Sequence, residues 1–435
     1  MIKKLCLVFI TFFAINVYAQ EGTTSPYSFY GIGSLKFKGT TENSSMGGLS
    51  IYTDSIHINL RNPASYGGSP LKFYNDEGRA IKFSVGGSSS NTTLNTDSAS
   101  EKANSTTFDY LALSFPMGKF GLGFGIMPFT SVGYKLQSID DSEVITNRYR
   151  GEGGVNKAFL GIGYQLTDNL SIGLDASYNF GNIQNSAIEF VYNNEGNPVQ
   201  YQSRESNRSD LSGLNYNLGV TYKPMITEKL QLTTAFTYTP KAKLTSNNER
   251  SFATIVINQT TGEEFAINEI IANLAAQGLD KTKLTLPTKT AFGLGLGQPR
   301  KWFVGAEYTL LKTSEFKNEI FSFDNAVYED ASAVSIGGFF IPDYSSFNRY
   351  LKRVVYRAGV RFENTGLKIN NESIKEFGMS FGVGLPVGNV FSNANIGFEI
   401  GQRGTLNQNL VKENFVNFQL SLSLNDRWFE KRKYN

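Results

Sequence analysis

The chain has 435 residues, among them 43 Gly, 34 Phe and 22 Tyr, with charged residues at 18% and a formal net charge of +3. A disordered chain would lack the aromatics, a coiled coil would lack the glycines, and a helical membrane protein would carry apolar runs of about 20 residues. Mean hydropathy is −0.24 and no such run exists past the first twenty positions, which leaves a large β-structure with one wet face.

Residues 1–19 read as a secretory signal: Lys3 and Lys4 give the positive start, Leu5 to Ile15 the apolar stretch, and Val17-Tyr18-Ala19 a small-x-small cleavage site. Cutting there leaves 39 basic residues against 38 acidic, a balance that calls for neither nucleic acid nor a polybasic membrane anchor. Cys6 is the only cysteine and lies within this segment. Disulfides, thiol nucleophiles and thiolate metal sites are therefore excluded from the remainder.

Residues 20–78 do not alternate between apolar and polar. They hold Gly31, Gly33, Gly39, Gly47, Gly48, Gly67 and Gly68 amid aromatics and turn residues. Placed before an alternating region, such a segment is expected to be a plug folded inside a barrel lumen.

From residue 79 to 425 apolar side chains fall on every second position. In 415–425, Val416, Phe418, Leu420, Leu422 and Leu424 alternate with Asn417, Gln419, Ser421, Ser423 and Asn425, so one face of the strand is apolar and the other polar. The pattern predicts strands over 79–91, 104–116, 119–138, 153–167, 169–184, 208–224, 228–246, 284–298, 300–313, 330–342, 350–364, 374–387, 393–404 and 413–425. Many of these exceed the five or six residues usual in a soluble sandwich and suit a tilted membrane crossing.

The links alternate in length: short at 116–119, 167–169, 224–228 and 298–301, long and polar at 88–105, 137–152, 184–209, 246–282 and 313–330. An outer-membrane barrel sorts its connections in this way, with short periplasmic turns and long outward loops. Within the fourth long link, Phe265, Ile267, Ile270, Ile271, Leu274 and Ala275 lie at helical spacings before Gly278, which predicts a loop helix over 263–278. Residues 426–435 form a basic tail on the periplasmic side. The expected fold is all-β, a transmembrane antiparallel barrel of about 14 strands with an N-terminal plug and periplasmic termini.

Three short stretches carry a family resemblance. Met46-Gly47-Gly48-Leu49, Asp54 and Asn62-Pro63-Ala64 resemble the opening of the long-chain fatty acid transporter (FadL-like) family of outer-membrane barrels, whose Asn-Pro-Ala element lies in the plug. Residues 121–129, ending in Pro128-Phe129, are similar to that family's kinked third strand. Leu286-Pro287-Thr288 with 292–295 and 302–308 resembles its later Leu-Pro strand pair. The resemblance implies fourteen strands, a plug, and a lateral opening near the third-strand kink through which hydrophobic ligands pass. The same barrel family also supplies accessory subunits to outer-membrane secretion and assembly machines, so membership leaves both roles open. Independently, Pro128 cannot donate to a strand ladder and marks an edge, bulge or break.

Chemistry is sparse. His57 is the only histidine, so a Ser-His-acid triad would have to use it, and Asp54 and Ser55 are too near in sequence to assemble around it reliably. A polar residue satisfied within the plug is the better reading. No HExxH or paired-His pattern exists, so no zinc site is expected. Asp140, Asp141 and Glu143 lie in an outward loop and read as solvated. Gly121, Gly123 and Gly125 have no following helix, so in place of a phosphate loop they leave room for the plug to approach the wall. By strand parity Arg357, Arg361, Glu363, Glu307 and Glu399 face the lumen, since Arg or Lys on the lipid face costs about 2–4 kcal/mol near the midplane.

The expected function is passive uptake of hydrophobic or amphipathic small molecules, without catalysis, cofactor or metal. Tyr27, Phe29, Tyr30, Asn62, Pro63, Ala64, Pro128 and Phe129 are the expected ligand-path or plug residues. Expected partners are outer-membrane lipid and lipopolysaccharide, a hydrophobic ligand, and, in the alternative of a non-transporting accessory subunit, another outer-membrane complex.

Overall fold

In the computed structural model, fourteen antiparallel staves close into a barrel. The structure describes residues 22–68, 80–140, 144–258, 260–320, 325–387 and 392–426. The expected signal, residues 1–19, and the tail beyond Asp426 lie outside them, as do Asp141 and Glu143.

The staves are β1 (Ile81–Asn95), β2 (Ser100–Met117), β3 (Phe120–Ile139), β4 (Ile145–Gln165), β5 (Leu170–Glu189), β6 (Gln202–Tyr222), β7 (Gln231–Thr239, continuing as Ala242–Ile257), β8 (Lys281–Leu286, continuing as Lys289–Gln298), β9 (Trp302–Leu311), β10 (Ala331–Phe340), β11 (Val355–Ile369), β12 (Glu372–Val387), β13 (Ser392–Arg403) and β14 (Lys412–Asp426). Closure comes from β14 against β1, from Lys412 opposite Asn95 to Asp426 opposite Ile81. The interruptions in β7 and β8 fall side by side at Pro240 and Pro287, each lacking a ladder donor.

Alternation sets the two faces. On β6, Leu214, Tyr216, Leu218 and Val220 point outward and are exposed, while Asn215 and Thr221 point inward and are buried. A soluble core would hide the first set; a lipid-facing band displays it.

The wall is uneven. β3, β4, β5 and β6 are 20 or 21 residues long, whereas β9 and β10 have 10 each. Twenty residues span roughly 66 Å along the strand, well beyond an apolar band about 25 Å tall. The sheet therefore continues past the membrane at the end away from the termini, and most of the stretches expected as long loops are strand. Thr92 and Asn95, for instance, stand opposite Ala103 and Ser100 in the β1–β2 ladder. Out there both faces are wet, so strand formation leaves no apolar alternation to read.

The expected loop helix is a strand. Glu264–Ile271 pairs antiparallel with 251–257, and a 3-10 turn, Leu274–Gln277, follows it before Gly278 at φ 69°. A bulge between Ala266 and Asn268 breaks the period of two, which is why its apolar residues fell at helical spacings. The end that carries the termini also differs from expectation in one link: β10 and β11 are joined by residues 341–354, with a 3-10 turn at Tyr350–Lys352.

Residues 22–68 pack inside the lumen. They form a 3-10 turn (Pro26–Phe29), a two-residue strand (Ser34–Leu35), a short helix α1 (Thr41–Ser44) and a second 3-10 turn (Pro63–Tyr66). Every large core cluster mixes plug with wall: Ile32 with Val132, Val155 and Leu244; Leu49 and Ile51 with Phe303 and Phe339; Ile58 and Leu60 with Tyr110 and Phe159.

Candidate functional site

The Asn-Pro-Ala element explains itself locally. Asn62 caps the turn by accepting from the Ala64 amide at 3.0 Å, and Pro63 sits where the amide has no partner to lose. Asn62 Nδ2 also donates to Thr221 Oγ1 at 3.0 Å. This turn presses backbone to backbone against inward glycines: a Cβ on Gly173 would lie 2.3 Å from the Pro63 carbonyl carbon, and one on Gly121 2.0 Å from Tyr66 O. Asn62, Pro63 and Ala64 thus anchor the plug near the end that carries the termini, away from the cavity at the seam.

Charge ties the plug higher up. Lys38 reaches Glu363 at 3.0 Å and Glu376 at 2.5 Å; Arg361 reaches Glu376 at 2.6 Å and Glu399 at 2.8 Å; Arg403 completes the cluster on Glu376. Arg61 of the plug pairs with Glu307 of β9 at 2.7 Å. The inward charges expected from parity are there: Glu363 and Glu307 bind the plug, while Arg361 and Glu399 pair within the wall and Arg357 donates to Asn395 of β13 at 3.1 Å.

The wall itself has a seam. β2 and β3 pair only from Leu111 opposite Ile126 down to Met117 opposite Phe120. Beyond that point β2 pairs with β1 alone, and β3 with β4 alone among the staves. Irregularities face each other where the strands part: the β1–β2 register shifts around Asp109, and the β3–β4 register shifts around Phe129. Pro128, lacking a donor, stands two residues past the last pair. The third strand is therefore not broken at Pro128, as a break reading would have it; it runs on against β4 and loses its other neighbour.

The plug occupies that free edge. Ser34 and Leu35 pair with Ser131 and Thr130. The Lys36 amide donates to Phe129 O at 3.0 Å, and Ser28 Oγ exchanges hydrogen bonds with both backbone groups of Gly133 at 3.1 and 3.2 Å. Tyr27 OH donates to Val411 O at 2.5 Å, which fixes this part of the plug at the long-loop end.

Between plug and wall lies a cavity of about 330 Å³ that runs from Tyr27, Tyr30 and Tyr328 at the long-loop end to Leu35, Pro128 and Phe129 at the seam. Its walls include Phe37, Met127, Phe159, Leu286 and Pro287. Of the expected residues it gathers Tyr27, Tyr30, Pro128 and Phe129. Phe29 turns away and packs edge-on against Tyr134 and Tyr149, with ring centres 5.1 and 6.0 Å apart.

Two cations the sequence reading passed over line the cavity, Lys157 and Lys289. Lys157 Nζ lies 4.8 Å from the centre of the Phe129 ring, within cation–π range. Neither lysine has an ion-pair partner among the described residues. Asp175 faces the same space, and its Oδ1 is buried without a hydrogen-bond partner there. Parity alone could have found both lysines, since each stands two residues from an inward position, Phe159 or Ala291.

His57 is held by Asp54, Nδ1 to Oδ2 at 2.8 Å, while its Nε2 is buried without a hydrogen-bond partner among the described residues. Burial opposes the Asp54 charge, yet His57 and Lys82 hold its carboxyl well below the usual carboxylate range. Asp54 also accepts from the Ile56 and His57 amides, so the pair closes a local turn. No group of three His, Cys, Asp or Glu residues placed to hold a metal occurs among the described residues.

A closed fourteen-stranded antiparallel barrel with an exposed apolar outer band, filled by its N-terminal segment and seamed between β2 and β3, is the fold of an outer-membrane β-barrel. The BamG family model matches residues 1–435, and the chain belongs to the BamG family. Solved structures show the same fold at low identity. The CymD monoaromatic hydrocarbon channel superposes with a TM-score of 0.55 at 14% identity, over 91% of this chain and 100% of its own. The Pseudomonas putida toluene transporter TodX gives 0.55 at 14%, over 90% and 99%. A Pseudomonas aeruginosa FadL homologue gives 0.54 at 14%, over 88% and 97%. No curated protein matches the chain in sequence.

Proposed function

We propose that the protein is an outer-membrane channel for passive uptake of hydrophobic or amphipathic small molecules, with both termini in the periplasm and no catalytic role. The observation that carries this reading is the cavity joining the long-loop mouth to the β2–β3 seam. A solute enters past Tyr27 and Tyr30, rests against Phe37, Met127 and Phe159, and leaves sideways by Pro128, Phe129 and Leu35. Lys157 and Lys289 suit a ligand with an anionic head group and an apolar tail, because an unpaired cation in a half-dry cavity gains most from an opposite charge. The solved neighbours named for hydrocarbon and toluene transport support the class of solute.

The second reading is a non-transporting accessory subunit of a larger outer-membrane complex. Its support is the density of plug-to-wall bonding, which fixes the plug more firmly than a moving gate requires, and the chain's membership of a distinct family.

Uptake of a fluorescent long-chain fatty acid by cells with and without the protein separates the two. Loss of uptake on deletion, and weakened laurate binding by the purified Lys157→Gln/Lys289→Gln variant with dodecanol binding unchanged, is the expected result. Unchanged uptake together with recovery of a stoichiometric large partner overturns the channel reading in favour of the accessory one.

A further inference from the structure

The link between β10 and β11 is built unlike a turn that only reverses the chain. Phe347 is 97% exposed and Leu351 71%. The 3-10 turn Tyr350–Lys352 does not hang free below the barrel. Tyr356 projects from the lipid-facing side of β11 and its hydroxyl donates to Leu351 O at 3.2 Å, while Tyr350 OH donates to Pro386 O at the foot of β12 at 3.0 Å. The turn is thereby strapped across the outside of the wall, where the apolar band meets water.

Positive charge collects on the same corner. Arg353 lies over the Tyr350 ring at 5.4 Å and Arg300 over the Tyr344 ring at 5.4 Å. Ile341 N donates to Lys301 O at 2.7 Å, which brings the β8–β9 turn alongside. Arg349 and Lys352 are exposed in the link itself. The one acidic residue in the link, Asp343, spends its carboxylate on the Ser345 amide at 3.1 Å. Arg353 is the informative group: it makes no ion pair among the described residues, and its Nε is buried without a hydrogen-bond partner there. A guanidinium fixed by an aromatic ring, half-buried and without an ion pair, is a ready phosphate ligand through its outer nitrogens.

We propose that this corner binds an anionic phospholipid of the adjoining leaflet, with its phosphate on Arg353, Arg349 and Lys352 beside it, and its acyl chains along Tyr356 and Phe340. Tyr350, Phe347 and Leu351 sit at head-group depth, where amphipathic rings and basic side chains are favoured. In the orientation proposed above this is the inner leaflet of the outer membrane. The inference rests on the barrel spanning a membrane and is independent of whether it transports anything.

The test reconstitutes the protein in nanodiscs of equimolar phosphatidylcholine and phosphatidylglycerol and counts retained lipid by native mass spectrometry. Phosphatidylglycerol is expected to be enriched on the wild type, inorganic phosphate is expected not to displace it, and Arg353→Gln lowers the enrichment about fivefold. Lys119→Gln, at a different turn of the same rim, leaves it unchanged. Equal retention of the two lipids by the wild type overturns the proposal whatever the variants do, and points instead to an acidic protein surface as the partner of the link. Displacement by inorganic phosphate overturns the lipid assignment. A chain that fails to enter the nanodisc counts against the membrane-spanning barrel, a separable result.

Discussion

Leu35 of the plug stands opposite Thr130 of β3 as its strand partner, in the place that β2 leaves vacant. A lumenal segment thus takes up part of the free edge of β3 at the seam, and solute can pass there only if this pairing is released or bypassed.

Cysteines at the two positions test that dependence. Residues directly opposite in an antiparallel pair have Cα atoms roughly 4.5–5.5 Å apart, within disulfide range, and Cys6 is the only native cysteine in the sequence. Leu35→Cys/Thr130→Cys is expected to cross-link on oxidation, to block fatty-acid uptake, and to regain it on reduction. Uptake that persists in the fully cross-linked protein would show that solute does not leave by the seam.

The glycine cradle makes a stability prediction. A methyl at Gly173 would meet the Pro63 backbone rather than a movable side chain, so Gly173→Ala should displace the second 3-10 turn at a cost of about 1–3 kcal/mol. Gly118→Ala, where a Cβ would meet nothing within 4 Å but φ is 61°, isolates the backbone contribution. The expected readout for Gly173→Ala is faster protease cleavage within residues 50–68 with the barrel still heat-modifiable.

Glu376 is the hub of the charged cluster, touching Lys38, Arg361 and Arg403. Glu376→Gln takes the shared carboxylate from three cations in a buried site, leaving Lys38 on Glu363, Arg361 on Glu399 and Arg403 on the more distant Glu413, so the cost is at most the about 3–5 kcal/mol of removing one partner of a buried pair. A lowered midpoint of heat-modifiability is expected, larger than for Arg208→Gln, whose partner Asp210 is solvent-exposed. Equal midpoints for the two variants would remove the cluster from any role in holding the plug.

The Asp54–His57 turn should make plug anchorage acid-sensitive. The folded carboxyl sits below its unfolded value of about 3.9, so its contribution is complete above that value and is lost as pH falls through the depressed one. Hydrogen exchange in residues 52–60 is expected to rise on acidification below about pH 4. Asp54→Asn should raise exchange at neutral pH and flatten the pH dependence. An unaltered profile in that variant would assign the acid response elsewhere.

Strand number, the wall's inward glycines and the inward charges were legible because each obeys a rule of period two: one face must suit lipid and the other the plug. Val416 to Leu424 shows this plainly. Where the sheet leaves the membrane the rule lapses, and Thr92 to Asn95 pairs as strand while reading as loop. The seam was legible only as a proline, because a missing ladder depends on what β2 does at Asp109, nineteen residues before Pro128 in the chain. The roles of Asn62 and Phe29 were not legible, since which lumenal aromatic or amide meets a cavity depends on how the plug folds, and the plug has no period to read.

The unequal height of the staves gives the molecule a bearing as well as an axis. β3 through β6 rise beyond the bilayer as a screen on one flank of the seam, while β1 and β2 are shorter. Anything approaching the seam along the membrane at the long-loop end is shadowed from one quarter and admitted from the other.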